Sequence, residues 1–467
     1  MIVLPHTPPL PKQISVASDR LNSEIISKRS SLINAPTSNY NDIIRFVVSM
    51  EEYLEQLFEF TYENTGSGLN GLIKFASNYQ IGSSAEPWTI KKASSSLSDK
   101  KINIKGIKEA PRSRSLEWNL FNEIELSILS ISFSYTSIGS QLINELIEES
   151  SATKEVVEKW KQVVNFFKKA ISFTQFGAQI NRISASPTKI NGVLYSFLEK
   201  LNNINIQLSI LSKSSWTNRE DFSRNESFKT NNNSTLARVA IYIVNELSNS
   251  QSILVQLQDD ATGKKREDSN NSINLDYSYW KDYLGVIEKY AIANAGLFLS
   301  IENYQQDKLG EAIGLVNFSL LTLQKKKFDE KASTSSSSSS SGKPSFRKLQ
   351  EKFKAHRNEA YVKNLESITT LNINNSAFQE KSSGIILKDL SYLFDQLILL
   401  HVKFTKVNDN LNFDQVASWS SINSDSRWPL GCQIPVSAVE KYQPRSIKVH
   451  PDQQERDAGQ SGRTQYY

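Results

Sequence analysis

The stretch Lys289–Gln324, KYAIANAGLFLSIENYQQDKLGEAIGLVNFSLLTLQ, constrains the fold more than any other. It reads as two amphipathic helices joined by a short polar turn. Ile292, Ala295, Gly296 and Leu299 give the first helix a face of small and medium residues. Leu309, Ala312, Ile313, Val316, Leu320 and Leu323 load the second. Small residues allow two helices to approach closely, and larger ones at three- and four-residue spacing build a buried stripe. Paired helices of this kind stack and present a surface more often than they carry out chemistry. The first expectation is a binding scaffold of mainly α class.

The remaining sequence agrees. Asp42–Glu63, Leu116–Ile147, Thr153–Gln179, Asn191–Leu211, Thr235–Leu257, Pro344–Thr370 and Ile385–Val407 carry helical apolar spacing. Gly66–Gly71 breaks the first of these. Pro87–Ile107 changes period: Trp88 and Ile90, then Ile102 and Ile104, alternate around the polar turn Ser94–Lys100, which predicts a small β-hairpin. Thr217–Asn233 and Asp259–Ser272 are polar and read as loops. The serine run at Ser335–Ser341 cannot bury a core, so residues 331–343 are predicted as a loop inserted between helices. One domain is expected over 1–435, with an extended or disordered tail at 436–467.

The chain has 467 residues and a formal charge of +5, which is mild and compels no anionic partner. One cysteine, Cys432, excludes an intramolecular disulfide and suits a reducing compartment. MIVLPHTPPLPKQ is too short in its apolar run, and too broken by proline, for a signal peptide. No unbroken apolar run of about 18 residues stands out, so a membrane span is not expected, and a cytoplasmic protein is. The opening LPHTPPLP reads either as a polyproline ligand or as a strap laid along the helices; the strap is favoured.

Signals for chemistry are weak. His6, His356, His401 and His450 are scattered, and none stands at metal-ligand spacing from another or from Cys432. GSGLNG at Gly66–Gly71 lacks the Lys-Ser/Thr of a phosphate loop, and SGK at Ser341–Lys343 lacks the upstream glycine. No metal, cofactor or catalytic group is expected, and the chain is read as a non-enzyme. Arg347, Lys348, Lys352 and Lys354 form a candidate membrane or anion patch, although acidic neighbours make a plain solvated face the simpler reading. No nucleic-acid module accompanies the charge, so no nucleic-acid partner is expected.

The order of segments nevertheless resembles a known family. PWTI at Pro87–Ile90 is followed by SLEWNLFNEIELSILSISFSYTSIGSQ at Ser115–Gln141, in which Glu123, Leu129, Ile131, Phe133, Tyr135 and Ile138 look like a conserved-type helix of Bro domains, the ALIX-like scaffolds of the ESCRT pathway. VVEKWKQVVNFFKKAISFTQFGA at Val156–Ala178 is similar to the family's helix with an aromatic-rich end, through Ala170, Phe173 and Phe176. KLGEAIGLVNFSL at Lys308–Leu320 resembles its "GEaI" helix through Gly310, Glu311, Ala312, Ile313 and Leu315. LPHT at Leu4–Thr7 and RWPLGCQIP at Arg427–Pro435 look similar to the start and strap of the PalC-type pH-response regulators of fungi.

The resemblance implies an elongated Bro domain with tetratricopeptide-like helical hairpins. It implies a non-catalytic adaptor that binds an ESCRT-III subunit of the Snf-seven type, through an apolar groove that takes an amphipathic helix. In the PalC-type reading the adaptor supports alkaline-pH signalling that ends in proteolytic activation of a transcription factor, with contacts to other signalling components and recruitment to plasma membrane or endosome. The alternative is an endosomal-sorting factor of multivesicular bodies that acts at membranes. Carried over by position, the groove would comprise Ile253, Leu254 and Leu257, with Ile313 or Leu315 from the GEAIGL helix; at such spacing each is also a candidate for plain core.

Overall fold

The computed structural model describes residues 1–16, 20–66, 68–84, 86–90, 116–151, 153–186, 188–223, 232–261, 273–323, 384–418 and 428–448. The expected mainly α architecture with one small β element is what it shows. The helices are α1 (Ser23–Ile33), α2 (Tyr40–Thr65), α3 (Leu69–Asn78), α4 (Leu120–Glu148), α5 (Lys154–Ile183), α6 (Val193–Ser223), α7 (Asn233–Ala261), α8 (Trp280–Gln305), α9 (Leu309–Thr322), α10 (Gly384–Val407) and the single turn α11 (Arg445–Lys448). From α4 to α9 each helix packs on the next in sequence, and α10 returns onto α9 and α8.

Local chemistry sets the ends of these helices. The Asn39 side chain accepts from Asp42 N to cap α2, and Gly66 closes it with a left-handed φ of 56°. Asn119 caps α4 in the same way through Asn122 N, and Thr153 caps α5 through Val156 N. The first residues of the predicted long helix are therefore a strand, and the helix proper starts at Leu120. Lys308 provides no side-chain cap for α9. Asp414, beyond α10, replaces it by accepting from Leu309 N at 3.2 Å and Gly310 N at 3.4 Å. Gly310 is required there, because a Cβ would stand 2.2 Å from the carbonyl oxygen of Gln415.

The predicted helix pair is α8 and α9, turned at Gln306–Lys308. Its small-residue face has the expected use: a Cβ on Gly296 would lie 1.9 Å from Ser319 Oγ. By length and composition alone α8 could span a bilayer, against the expectation from the sequence, but it is packed between α7 and α9 with most of its length buried. It behaves as a core helix. The predicted loop at Thr217–Asn233 is helical as far as Ser223, because Trp216 anchors the end of α6 against Trp160 and donates from Nε1 to the Glu149 carbonyl.

The sheet is β1 (Ser15–Val16), β2 (Gln80–Ser84) and β3 (Leu116–Asn119), antiparallel in that order. The predicted hairpin is displaced. Trp88 faces Pro11 in an isolated bridge and not a hairpin partner, while Ile102 and Ile104 lie outside the described residues.

The hub is α4, whose side chains from Leu120 to Ser140 are all buried. Its Glu123 joins distant segments: Oε1 accepts from Arg29 Nε at 2.8 Å and Tyr53 OH at 3.0 Å, and Oε2 from Trp88 Nε1 at 2.9 Å and Trp118 Nε1 at 2.7 Å. A buried carboxylate is tolerated only with this degree of satisfaction. The N-terminal segment is a strap and not a presented ligand. Met1–Pro5 is buried; Ile2 N donates to Asn205 Oδ1 of α6, and Trp280 Nε1 of α8 donates to the Pro5 carbonyl.

Candidate functional site: an aromatic groove between α2 and α5

Of the residues expected to form the groove, four are buried and one is half-buried. Leu254 (0% exposed), Leu257 (1%) and Ile313 (2%) belong to the main core, where α7, α8 and α9 pack together, and Ile253 is half-buried against it. Leu315 (7%) lies in a small satellite cluster with Phe318, covered by Trp428 and Ala417. Apolar residues at helical spacing look the same whether they face a neighbouring helix or a ligand, and here helices and strap cover them. The basic patch Arg347, Lys348, Lys352 and Lys354, and the serine-rich loop 331–343, lie outside the described residues.

A groove does exist elsewhere. Helices α2 and α5 flank α4 and leave its C-terminal half as a floor. Along this floor runs a column of rings. Tyr135 of α4 stacks between Phe166 and Phe173 of α5, with centroids 6.2 and 6.1 Å apart and planes within 23°. Charged side chains flank the Tyr135 ring. On one side Glu51 of α2 accepts from Tyr135 OH. On the other, Lys169 Nζ of α5 lies 5.0 Å above the Tyr135 ring, a cation–π distance. Burial and the Glu51 carboxylate both raise the Tyr135 pKa, so the phenol stays a neutral donor.

At one end the column is completed by the chain itself. The segment from Trp428 to Lys448 crosses the helices in turn. Trp428 packs edge-on to Phe318 of α9. Cys432 N donates to the Arg238 carbonyl of α7 at 3.0 Å, and Ile434 exchanges two hydrogen bonds with the Gln207 amide of α6 at 2.9 and 3.0 Å. Tyr442 then stacks on Phe173 at 4.4 Å and stands edge-on to Phe176 at 5.1 Å. Its OH donates to Glu55 Oε1 at 2.7 Å, and Arg445 N donates to Glu55 Oε2 at 2.8 Å. Burial, then Glu55, raises the Tyr442 pKa, so it too is a donor at neutral pH. Ile447 is buried beyond it. Of the segment expected to be an extended or disordered tail from 436, residues 436–444 are extended, and Tyr442 and Ile447 pack on the helices.

The other end of the groove is open. Asn39, Tyr40, Asn41, Asp42 and Arg45 of α2, Leu142 and Glu145 of α4, and Lys159 and Gln162 of α5 line a cleft of about 650 Å³. Val48, one turn past Arg45 on α2, is exposed. Along α5, Gln162 in the cleft and Phe173 under Tyr442 are about 16 Å apart at 1.5 Å per residue. Among the described residues no three His, Cys, Asp or Glu side chains are grouped to hold a metal.

Residues 118–467, from β3 onward, match a family described as a family of unknown function, DUF5355. The chain belongs to that family. The DUF5355 match includes α4, α5 and the whole of the crossing segment, so it covers the groove floor, one wall and Tyr442. No curated protein matches the chain. Among solved structures the chain is similar to one described as the structural basis for endosomal targeting by the Bro1 domain, at 12% identity and a TM-score of 0.42, covering 93% of this chain and 84% of that one. It is also similar to a complex of the ALIX BRO1 domain with CHMP4C, at 13% identity and a TM-score of 0.45, covering 96% of this chain and 97% of that one.

Proposed function

We propose that this chain is a non-catalytic adaptor of Bro type that binds the amphipathic C-terminal helix of an ESCRT-III subunit of the Snf-seven class, and that the open half of the α2–α5 groove is where the helix lies. The observation that carries the reading is the composition of the open cleft and of the column beside it: Tyr40 and Leu142 among charged side chains (Asp42, Arg45, Glu145 and Lys159), next to the buried Tyr135 and half-buried Phe166. That is the chemistry of a helix-in-groove site, with apolar contacts for affinity and rim charges for orientation. The motifs that resemble Bro domains supply it: Tyr135 comes from the α4 pattern and Phe173 from the α5 pattern.

The finer role we propose is support of alkaline-pH signalling in the manner of PalC-type regulators, alongside other components of that pathway, with recruitment from the cytoplasm to plasma membrane or endosome. The support is the sequence likeness at Leu4–Thr7 and Arg427–Pro435. Its described residues serve as straps, one on α6 and α8 and the other across α9, α7 and α6.

The test is fluorescence anisotropy of a labelled C-terminal helix from a Snf-seven-type subunit. Wild-type protein should give saturable binding. Val48→Asp, at an exposed site one helical turn from Arg45 of the cleft, should weaken it at least tenfold with unfolding unchanged, as expected for a charge set against an apolar contact. No binding at about 100 µM, already weak for a specific complex, sinks the function; equal binding by the variant sinks the site.

A further inference from the structure

The groove has a resident occupant, and that occupant has a chemistry. The last described segment, Ser437–Lys448, reads SAVEKYQPRSIK. It enters the groove through an aromatic ring, Tyr442, and three residues later the backbone N–H of Arg445, whose side chain is exposed, donates to the same Glu55 carboxylate that the phenol engages. The seat is matched to that pattern. Phe173 and Phe176 supply the faces for a ring, Glu51 and Glu55 supply acceptors and negative charge, and the pocket beyond takes an aliphatic side chain, Ile447.

The arm is held differently from the segment that precedes it. Upstream, Gly431 lies so close to the Tyr242 backbone that a Cβ would be 2.6 Å from its nitrogen, and Ile434 is clamped twice by Gln207. Downstream, Val436, Ser437, Ala438, Glu440, Lys441, Gln443 and Arg445 are exposed. The described contacts of the arm are confined to Tyr442, Ile447, the Glu55 bonds, a Lys168–Ser437 bond, Pro444 and the half-buried Val439 and Ser446. The arm can therefore leave its seat while the clamp at Ile434 stays closed. When it leaves, the faces of Phe173 and Phe176 that Tyr442 covers are uncovered.

We propose that the Tyr442 seat is an exchangeable binding site: a partner segment with an aromatic ring, a backbone N–H free to donate about three positions later and an aliphatic residue beyond that displaces residues 437–448 and binds in their place. The chain's own arm is the competitor that sets the threshold. This rests on the reading of the α2–α5 groove as the binding surface, but not on an ESCRT-III helix as its ligand. The resident state of such a site reduces the apparent affinity of any incoming ligand by the fraction of seats that are vacant.

The test uses the full chain and a fluorescein-labelled synthetic peptide of the sequence SAVEKYQPRSIK as the probe. Tyr442→Ala in the full chain vacates the seat without touching its walls, and urea unfolding confirms that the variant remains cooperatively folded. The peptide should bind Tyr442→Ala at least tenfold more tightly than wild type. Binding should be lost when the peptide's own tyrosine is replaced by alanine, and when Glu55→Gln is added to the protein. The proposal is overturned if the peptide fails to bind the folded Tyr442→Ala variant, or binds wild type equally well. It is overturned too if Tyr442→Ala elutes as a dimer that excludes the peptide, since the vacated groove would then be an interface between copies. Titrating unlabelled peptide against the bound ESCRT-III helix separates the two readings. A helix that binds but is indifferent to both the peptide and Tyr442→Ala keeps the function and discards the exchange.

Discussion

Replacing Glu125 with glutamine should change the pH dependence of stability in a direction that the structure dictates. Glu125 is fully buried on α4. It accepts from the Asn181 side chain, from Tyr195 OH at 3.0 Å and from Ile190 N at 3.0 Å. Burial nevertheless wins, raising its pKa from 4.5 to about 7 against the pull of those donors and of Lys189. Between these two values the folded chain holds a proton that the unfolded chain has released, so the free energy of unfolding falls as pH rises. The contribution is complete below about pH 4.5 and is lost as pH passes through about 7. A difference of about 2.5 in pKa corresponds to about 3 kcal/mol. Urea unfolding of wild type and Glu125→Gln, followed by circular dichroism at intervals from pH 5 to 9, measures it. The amide introduces a fixed offset, because it cannot accept on both arms, but the offset does not titrate. Subtracting the two profiles should leave wild type losing about 3 kcal/mol relative to the variant, mostly between pH 5 and 8. Parallel profiles would show that Glu125 is ionised throughout and that the three donors outweigh burial.

Two further substitutions probe the packing. Glu123→Ala leaves the Arg29 guanidinium buried without its carboxylate and should cost about 3–5 kcal/mol, enough to unfold a marginal protein; Arg29→Met in the same background should recover part of it, and a loss below about 1 kcal/mol in denaturant would contradict the assigned network. Gly296→Val forces α8 away from Ser319 and should lower stability by about 1–3 kcal/mol, with a matching fall in Tm by calorimetry; an unchanged Tm would mean that the helices separate freely.

The helices were legible because their apolar spacing is regular and their caps are written in the sequence. Asp42–Glu63, Thr153–Gln179 and Ile385–Val407 coincide with α2, α5 and α10 to within a few residues. The short helices α1 and α3 were missed, since Ser23–Ile33 is a polar stretch with few apolar positions and Leu69–Asn78 sits beside glycines that read as a break. The strands were misplaced because Gln80–Ser84 has no alternating apolar pattern: it is held by pairing with β1 and β3, which lies more than thirty positions further along the chain. Tyr135, Phe173 and Phe176 stood out through the resemblance, but nothing in the sequence marked them as lining a site. Leu254 and Phe173 carry the same signature in sequence, an apolar residue on a helix face. What distinguishes them is a ring from residue 442, which no local pattern connects to α5. The one available signal was the aromatic clustering at Phe166, Phe173 and Phe176, denser than a packed helix face needs.

The Glu123 network has a consequence for the order of assembly during synthesis. Every group that it joins (Arg29, Tyr53, Trp88, Trp118 and Glu123 itself) lies in the first 123 residues of the sequence, so this knot is complete in composition when about a quarter of the chain exists. Its surroundings are not. α4 still exposes the faces that α5 and α6 will cover, and the seat under Tyr442 is formed by helices made long before the ring that fills it. Domains generally fold as units. The rings of the aromatic column are synthesised some 260 residues before the tyrosine that caps them, so the column cannot be capped until that much more of the chain exists.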